Sequence, residues 1–464
     1  MDVRGGSGVN RIASRPVRTL LYFAAVLGIF LTTVSPASAL PAFARKYGMP
    51  CSSCHEAWPK LSPFGQQFKD NGYQMGNDRD APIFQSPAYW PVTFRITPQW
   101  HRESTNKAAV DQTASGEAQV TTHGFDWSGL DFHTAGTLAK DFSFYVLPSS
   151  DNTGAFHFEA VWARLDNIAG SSWLNIKLGK FELDNLLSEK RILTLTSISG
   201  VYTNYHFQPF ISPGVAETSY AFGIGDNQVG IEWLGHSKND RTRISASLLS
   251  SNDGSPGLPT SRGYDGFFTA SQAFELGSLG LQRVGGFAYL GEAPTYFHFT
   301  SGGPTAGVPG TGIGNKGFQR YGLIGMWYIK KFDITTMYFH SHDDKTLATT
   351  TTLTNTPPMA PQGAHAPTWN GGLFESHYNL NPQLIFINRY ELVRMSQQVF
   401  STNPANLGNT DVLTFGMRYY PFISSRAGFA YHAEYAIIRQ RGASLVTNTD
   451  LVSSSLLLGM DFDF

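Results

Sequence analysis

Apolar and polar residues alternate with a period of two along much of this chain. Near the C-terminus, Leu456, Leu458, Met460, Phe462 and Phe464 fall on one face of an extended segment, and Leu457, Gly459, Asp461 and Asp463 on the other. Residues 427–437 set Phe429, Tyr431, Tyr435 and Ile437 against Ala430, His432, Glu434 and Ala436, and Leu413, Phe415, Met417 and Tyr419 oppose Thr414, Gly416, Arg418 and Tyr420. A strand of this kind suits a barrel wall with lipid on its apolar face and a lumen on its polar or small face. Read along the chain, the alternation predicts strands near 92–101, 124–137, 140–148, 156–166, 172–181, 227–236, 241–250, 264–276, 280–290, 318–329, 332–342, 369–379, 382–395, 410–420, 426–438 and 451–463. Short turns and longer Gly/Pro/Ser/Thr/Asn-rich segments connect them in strict alternation, provided that 182–226 is one loop. The expected fold is therefore all-β: an outer-membrane antiparallel β-barrel of about sixteen strands over residues 91–464, rather than a sandwich or propeller.

Composition agrees. Only 15% of residues are charged while 14% are aromatic, and the 47 glycines suit many tight turns. The formal charge of −1 offers no nucleic-acid footprint. Residues 1–39 read as a signal peptide. Arg4, Arg11, Arg15 and Arg18 precede the apolar run 19–34, and Ala37-Ser38-Ala39 is a small-residue cleavage site. Past Pro91 no run is long enough for a membrane-spanning helix.

The two cysteines lie in one five-residue run, Cys51-Ser52-Ser53-Cys54-His55. This C-x-x-C-H pattern is the attachment signature of a c-type haem: each thiol forms a thioether to a porphyrin vinyl group, and His55 turns its imidazole to the iron as proximal ligand. A zinc site would need further Cys or suitably spaced His ligands, which do not follow, and a redox dithiol does not need the trailing histidine. The cofactor expected is one covalent haem c, held by the segment 40–90. Within it, Ser62 reads as an N-cap, Pro63 as the first helical residue and Gly72 as the helix stop, with Phe64 and Phe68 sharing a face. A unit so small cannot bury a haem alone, so it is expected to form a small α-helical haem plug in the barrel lumen or at its periplasmic mouth. Met75 is the candidate distal iron ligand, with His101 or another lumen histidine as the alternative; Met49 is too close to Cys51 to reach the opposite haem face.

The run Phe43-Ala44-Arg45, Cys51 to His55, Trp58-Pro59-Lys60-Leu61, Pro63-Phe64-Gly65, Phe68 and Asn71-Gly72-Tyr73 resembles the fused monohaem cytochrome–porin family of iron-oxidising bacteria. The resemblance is specific over residues 42–75 and architectural beyond. It implies an outer-membrane cytochrome of a Gram-negative bacterium that takes electrons from extracellular Fe(II) and passes them to a periplasmic carrier, a cytochrome c or a copper protein. That is an iron:cytochrome c oxidoreductase with Cys51, Cys54 and His55 holding its haem. Two other readings stay open: a solute channel with a structural or sensory haem, and an outward electron conduit. Candidate iron contacts are His340, His342, Asp343 and Asp344, where a strand meets an outer loop. Glu182, Asp184, Glu189, Lys190 and Arg191 would form a charged constriction if their loop folds inward.

Overall fold

The computed structural model describes residues 43, 46–57, 60–75, 92–109, 117–150, 153–183, 227–250, 264–294, 315–343, 366, 368–395, 409–423, 428–441 and 450–463. The leader, Phe464, and the predicted site residues Asp184, Glu189, Lys190, Arg191 and Asp344 lie outside them, as do the side chains of Cys51 and Asp343.

Four short elements come first: α1 (Cys51–Cys54), β1 (His55–Ala57), β2 (Lys60–Leu61) and α2 (Pro63–Asp70). Sixteen long strands follow: β3 (Val92–Ala109), β4 (Glu117–Ala139), β5 (Phe142–Ser150), β6 (Phe156–Leu165), β7 (Asn175–Glu182), β8 (Asn227–His236), β9 (Thr242–Ser250), β10 (Tyr264–Glu275), β11 (Leu281–Pro294), β12 (Asn315–Ile329), β13 (Phe332–Asp343), β14 (Thr368–Asn381), β15 (Leu384–Met395), β16 (Asn409–Ile423), β17 (Gly428–Arg441) and β18 (Leu451–Asp463). Each pairs antiparallel with its sequence neighbours. The last pairs with the first, Leu457 opposite His101 and Asp463 opposite Arg95, so the sheet is a closed barrel. Closure gives every strand a partner on both sides and leaves no edge. The turns at 140–141, 166–174, 237–241, 276–280, 330–331 and 382–383 gather at one end, with the start of β3 and the end of β18.

The alternation read from the sequence is the wall itself. On β18, Leu458, Met460 and Phe462 face outward and are exposed, while Leu457 and Asp461 face inward and are buried. On β17, Tyr431 and Tyr435 face outward and His432 and Glu434 inward. The outward face carries an apolar and aromatic belt that includes Phe158, Leu248, Leu323, Phe374 and Phe415. Such a belt is costly in water and matched to hydrocarbon, which makes this an outer-membrane type of barrel. The first hairpin runs further than the alternation predicted, because residues 102–109 and 117–123 are polar on both faces and carry no period-2 signal. Its ladder is supported there by the 2.9 Å contact between Ser104 Oγ and Thr121 Oγ1.

Inside, the wall is divided. Phe181, Leu249, Phe267, Phe287, Phe339 and Val393 belong to one continuous apolar cluster. Buried charges line β13 to β15: His377 Nε2 lies 2.6 Å from Glu375 Oε1, and Arg389 Nε donates to Glu375 Oε2 at 2.5 Å. A second polar group closes the seam, where Asp461 accepts from Thr97 Oγ1 at 3.1 Å and lies 3.3 Å from Arg418 and 3.2 Å from His432.

The two faces predict opposite tolerances. Leu323→Arg, on the outward face at 67% exposure, should cost about 2–4 kcal/mol in phospholipid vesicles. In detergent denaturation the cost should shrink. Equal losses in both would sink the assignment of that face to lipid.

Candidate functional site

The C-x-x-C-H run folds as one helical turn followed by an extended residue. The backbone of α1 brings positions 51 and 54 to one face, three residues apart, and His55 begins β1 and is buried, at 5% exposure. Helix α2 is held against this turn by its cap. Ser62 N–H donates to Cys54 O at 2.9 Å, Ser62 Oγ donates to Ser53 O at 3.0 Å, and the same oxygen accepts from Gly65 N–H at 3.1 Å. Pro63 occupies the first helical position, as its fixed φ and missing N–H favour. The approach is close enough to require glycine at 65, where a Cβ would stand 1.9 Å from Cys54 O.

At its other end α2 closes in a Schellman motif. Tyr73 N–H donates to Phe68 O at 2.9 Å and Gly72 N–H to Lys69 O at 3.1 Å, with Gly72 at φ +76°. The accompanying apolar contact is the Tyr73 ring set edge-on against Phe68 at 5.9 Å. This reversal brings Met75 back onto the same cluster, where it is partly buried. Phe43 stacks on Tyr73 at 5.2 Å and Tyr47 meets Phe68 edge-on at 5.7 Å.

Residues 60–75 lie against the inner barrel wall on opposite sides of the strand ring. On β6, Arg164 donates to Lys69 O at 3.0 Å and Asp70 O at 3.1 Å, and Trp162 stacks on Tyr73 at 6.1 Å. Lys69 lies 3.6 Å from Glu182 at the end of β7, and Arg243 Nε of β9 lies 3.0 Å from Asp70 Oδ2. Across the ring, Lys60 is fully buried, paired with Asp333 of β13 and 3.2 Å from His377 Nδ1 of β14. Strands β6 and β14 are eight places apart in a ring of sixteen, so the segment bridges diametrically opposed walls. Most of these wall residues lie towards the short-turn end.

The residues of this turn are compatible with a covalent haem. Burial pushes the Cys54 thiol up to about 11, whereas redox cysteines are held low by helix N-termini or cations. A thiol that stays protonated at neutral pH is a poor nucleophile and a poor thiolate ligand, yet a thioether needs no charge. Gln74, 3% exposed, has neither amide atom hydrogen-bonded among the described residues, which leaves polar capacity beside Met75. With haem attached, Cys54 and position 51 would carry the thioethers, His55 the iron's proximal side, and Phe43, Phe68 and Tyr73 an aromatic flank. The bound group would supply one-electron redox chemistry.

The other predicted residues are placed elsewhere. His340 and His342 do share a face of β13, as strand periodicity requires, but it is the outward one. Asp333, Thr335, Met337, Phe339 and Ser341 take the buried inner positions. His340 Nδ1 sits 2.9 Å from Asn370 Oδ1 on the exterior. The sequence carried the signal: Asp333 and Ser341 share one parity of β13, Ile334 and Tyr338 the other. His101 lies on β3, 3.0 Å from Asp126 and away from α2's contacts. Among the described residues, no three His, Cys, Asp or Glu side chains form a group that could hold a metal ion. The sequence reading missed Arg164, Arg243 and Asp333, which grip the N-terminal segment from the wall, and Lys60, through which Asp333 holds it; a charged residue on the lumen parity of a barrel strand is the mark that could have found the first three.

No protein-family model matches the sequence, and no curated protein sequence matches it. Similar solved structures include the outer membrane channel DcaP of Acinetobacter baumannii, at 9% identity and a TM-score of 0.48 over 80% of this chain and 97% of that one. An anion-selective porin from Comamonas acidovorans aligns at 12% identity and a TM-score of 0.47, over 80% and 99% of the two chains. OprB of Pseudomonas putida aligns at 9% and 0.47, over 81% and 94%.

Two outcomes follow from this geometry. Lys60→Met leaves the Asp333 carboxylate buried without its cation. It should cost about 3–5 kcal/mol and expose residues 46–75 to limited proteolysis. In haem-free chain, alkylation of Cys54 by iodoacetamide should be slow at pH 7 and accelerate only as pH nears about 11; a fast reaction at neutral pH would favour the redox-dithiol reading.

Proposed function

We propose that this chain is an outer-membrane electron conduit: a β-barrel whose N-terminal segment carries one covalent haem c in the lumen, accepting electrons from extracellular Fe(II) and passing them to a periplasmic carrier protein. The observation that carries the reading is the packing of the C-x-x-C-H segment across the lumen, gripped from β6, β7 and β9 on one side and β13 and β14 on the other. A segment held this way supports a plug in the lumen over a tethered domain.

The short-turn end of the barrel suits one of the two partners and the lumen the other. Short turns face the periplasm in barrels of this kind, and the apolar band is about 25 Å tall. A group at the short-turn end lies within reach of a periplasmic protein and far from the outer surface. Fe(II), as substrate, would therefore travel down the lumen past the inward charges, and the carrier would dock at the periplasmic mouth. His340 and His342, on the outward face of β13, lie off that proposed path.

A solute channel is the second reading, supported by the closed sixteen-strand barrel with its charged inner wall. One experiment separates the two. Fe(II) added outside intact outer membranes, at the growth pH, should reduce the haem within the mixing time of a stopped-flow spectrum, and His55→Ala should abolish the signal. A haem that stays oxidised with Fe(II) but reduces with dithionite would overturn iron as the donor. Unchanged single-channel conductance in His55→Ala, in a wild type that conducts, would favour the channel.

A further inference from the structure

The described turns at the short-turn end differ in charge. Cations sit on every second one: Lys140 between β4 and β5, Lys238 and Arg241 between β8 and β9, and Lys330 and Lys331 between β12 and β13. The turns that alternate with them, 166–174, 276–280 and 382–383, hold no cation. Two of these present apolar side chains instead, with Ile168, Trp173, Leu174, Leu276 and Leu279 exposed.

Carboxylates on the same turns do not offset the lysines, because they are spent within the fold. Asp166 is buried and accepts from Arg164 Nε and Ser143 Oγ, both at 2.6 Å. Asp240 is buried and accepts from Arg243 Nε at 2.7 Å. Asp141, half-buried, accepts from Asn167 Nδ2 at 3.1 Å. Glu275 pairs with Arg241. Lys331 donates to a neutral acceptor, Leu380 O, at 2.7 Å and keeps its charge. Lys140, Lys238, Lys330 and Lys331 are all exposed, so the rim is positive. Its spacing is regular. Successive cationic turns are four strands apart in a ring of sixteen, which sets Lys140 and Lys330 on opposite sides of the mouth with Lys238 midway. At ~4.8 Å per strand, neighbouring cationic turns are roughly 20 Å apart. A lipid headgroup or a small anion meets one such turn at a time. Only an occupant as broad as the mouth meets all three.

We propose that this rim is the docking surface for the periplasmic carrier, and that the carrier presents an acidic face to it. Lys140, Lys238, Lys330 and Lys331 steer that face onto the mouth, and the apolar turns between them make the close contact. Such a division of labour suits a brief encounter: long-range charge speeds association, and a small apolar contact lets the partner leave. The inference rests on the conduit reading, which places a carrier at this end of the barrel.

The test uses the full-length protein in lipid nanodiscs and two probes of one fold and opposite charge: a soluble cytochrome c of basic surface, and the same protein succinylated on its lysines. Association is followed by biolayer interferometry. The succinylated probe should bind and the basic one should not. Combining Lys140→Gln, Lys238→Gln and Lys330→Gln should slow its association about 10-fold at low salt. In 1 M salt, where the screening length is about 3 Å, wild type and variant should converge. Equal binding of both probes, a preference for the basic one, or unchanged association of the triple variant overturns the proposal. A triple variant that loses binding to phosphatidylglycerol vesicles but not to the succinylated probe overturns it in favour of a lipid surface. Reduction of the bound probe on adding Fe(II) is read separately. Binding without reduction supports the docking surface and counts against the conduit, so the two failures are distinguishable.

Discussion

Backbone hydrogen bonding governs the rest of this structure. In hydrocarbon, each unpaired N–H or C=O costs several kcal/mol, so a sheet must close or fail. Closure of β18 on β3 meets that demand. It also fixes the parity of every strand, since a slip of one residue would turn the wall inside out. The apolar belt, the inward charges and the space for the N-terminal segment all follow from that single register.

What fills the interior then depends on compensation. Arg389 and Lys60 are fully buried, as are Glu375 and Asp333, and isolated charges so placed would be prohibitive. They persist because each cation faces an acid. Such networks add little net stability over an apolar filling, but they discriminate sharply between a correct fit and a shifted one. Here the pairs Lys60–Asp333, Lys69–Glu182 and Asp70–Arg243 specify where residues 60–75 sit. The apolar cluster supplies the contact area, and the ion pairs supply the address.

Local chemistry made much of this legible. Ser62, Pro63 and Gly72 mark the ends of α2 because capping is decided within a few residues. Strand positions were legible because alternation is local too, and each of the sixteen strands overlaps the segment it marked, the first hairpin running longer. Parity at β13 was decidable but subtler: His340 and His342 attract attention as potential ligands, while the humbler Asp333 and Ser341 reveal which face is inside. The grip on the N-terminal segment was not legible. Lys60 and His377 are 317 positions apart, and no pattern in one sequence links residues that only closure of the ring brings together.

That separation in sequence has a consequence for biogenesis. The segment's partners come from β6, β7, β9, β13 and β14, so its seat does not exist until most of the wall has paired. Contacts so distant along the chain form late and slowly. The N-terminal segment is made first and seated last. Any prosthetic group it carries must be joined while that segment is still open to enzymes in the periplasm, before the ring shuts around it. The barrel then closes over a part that is already finished.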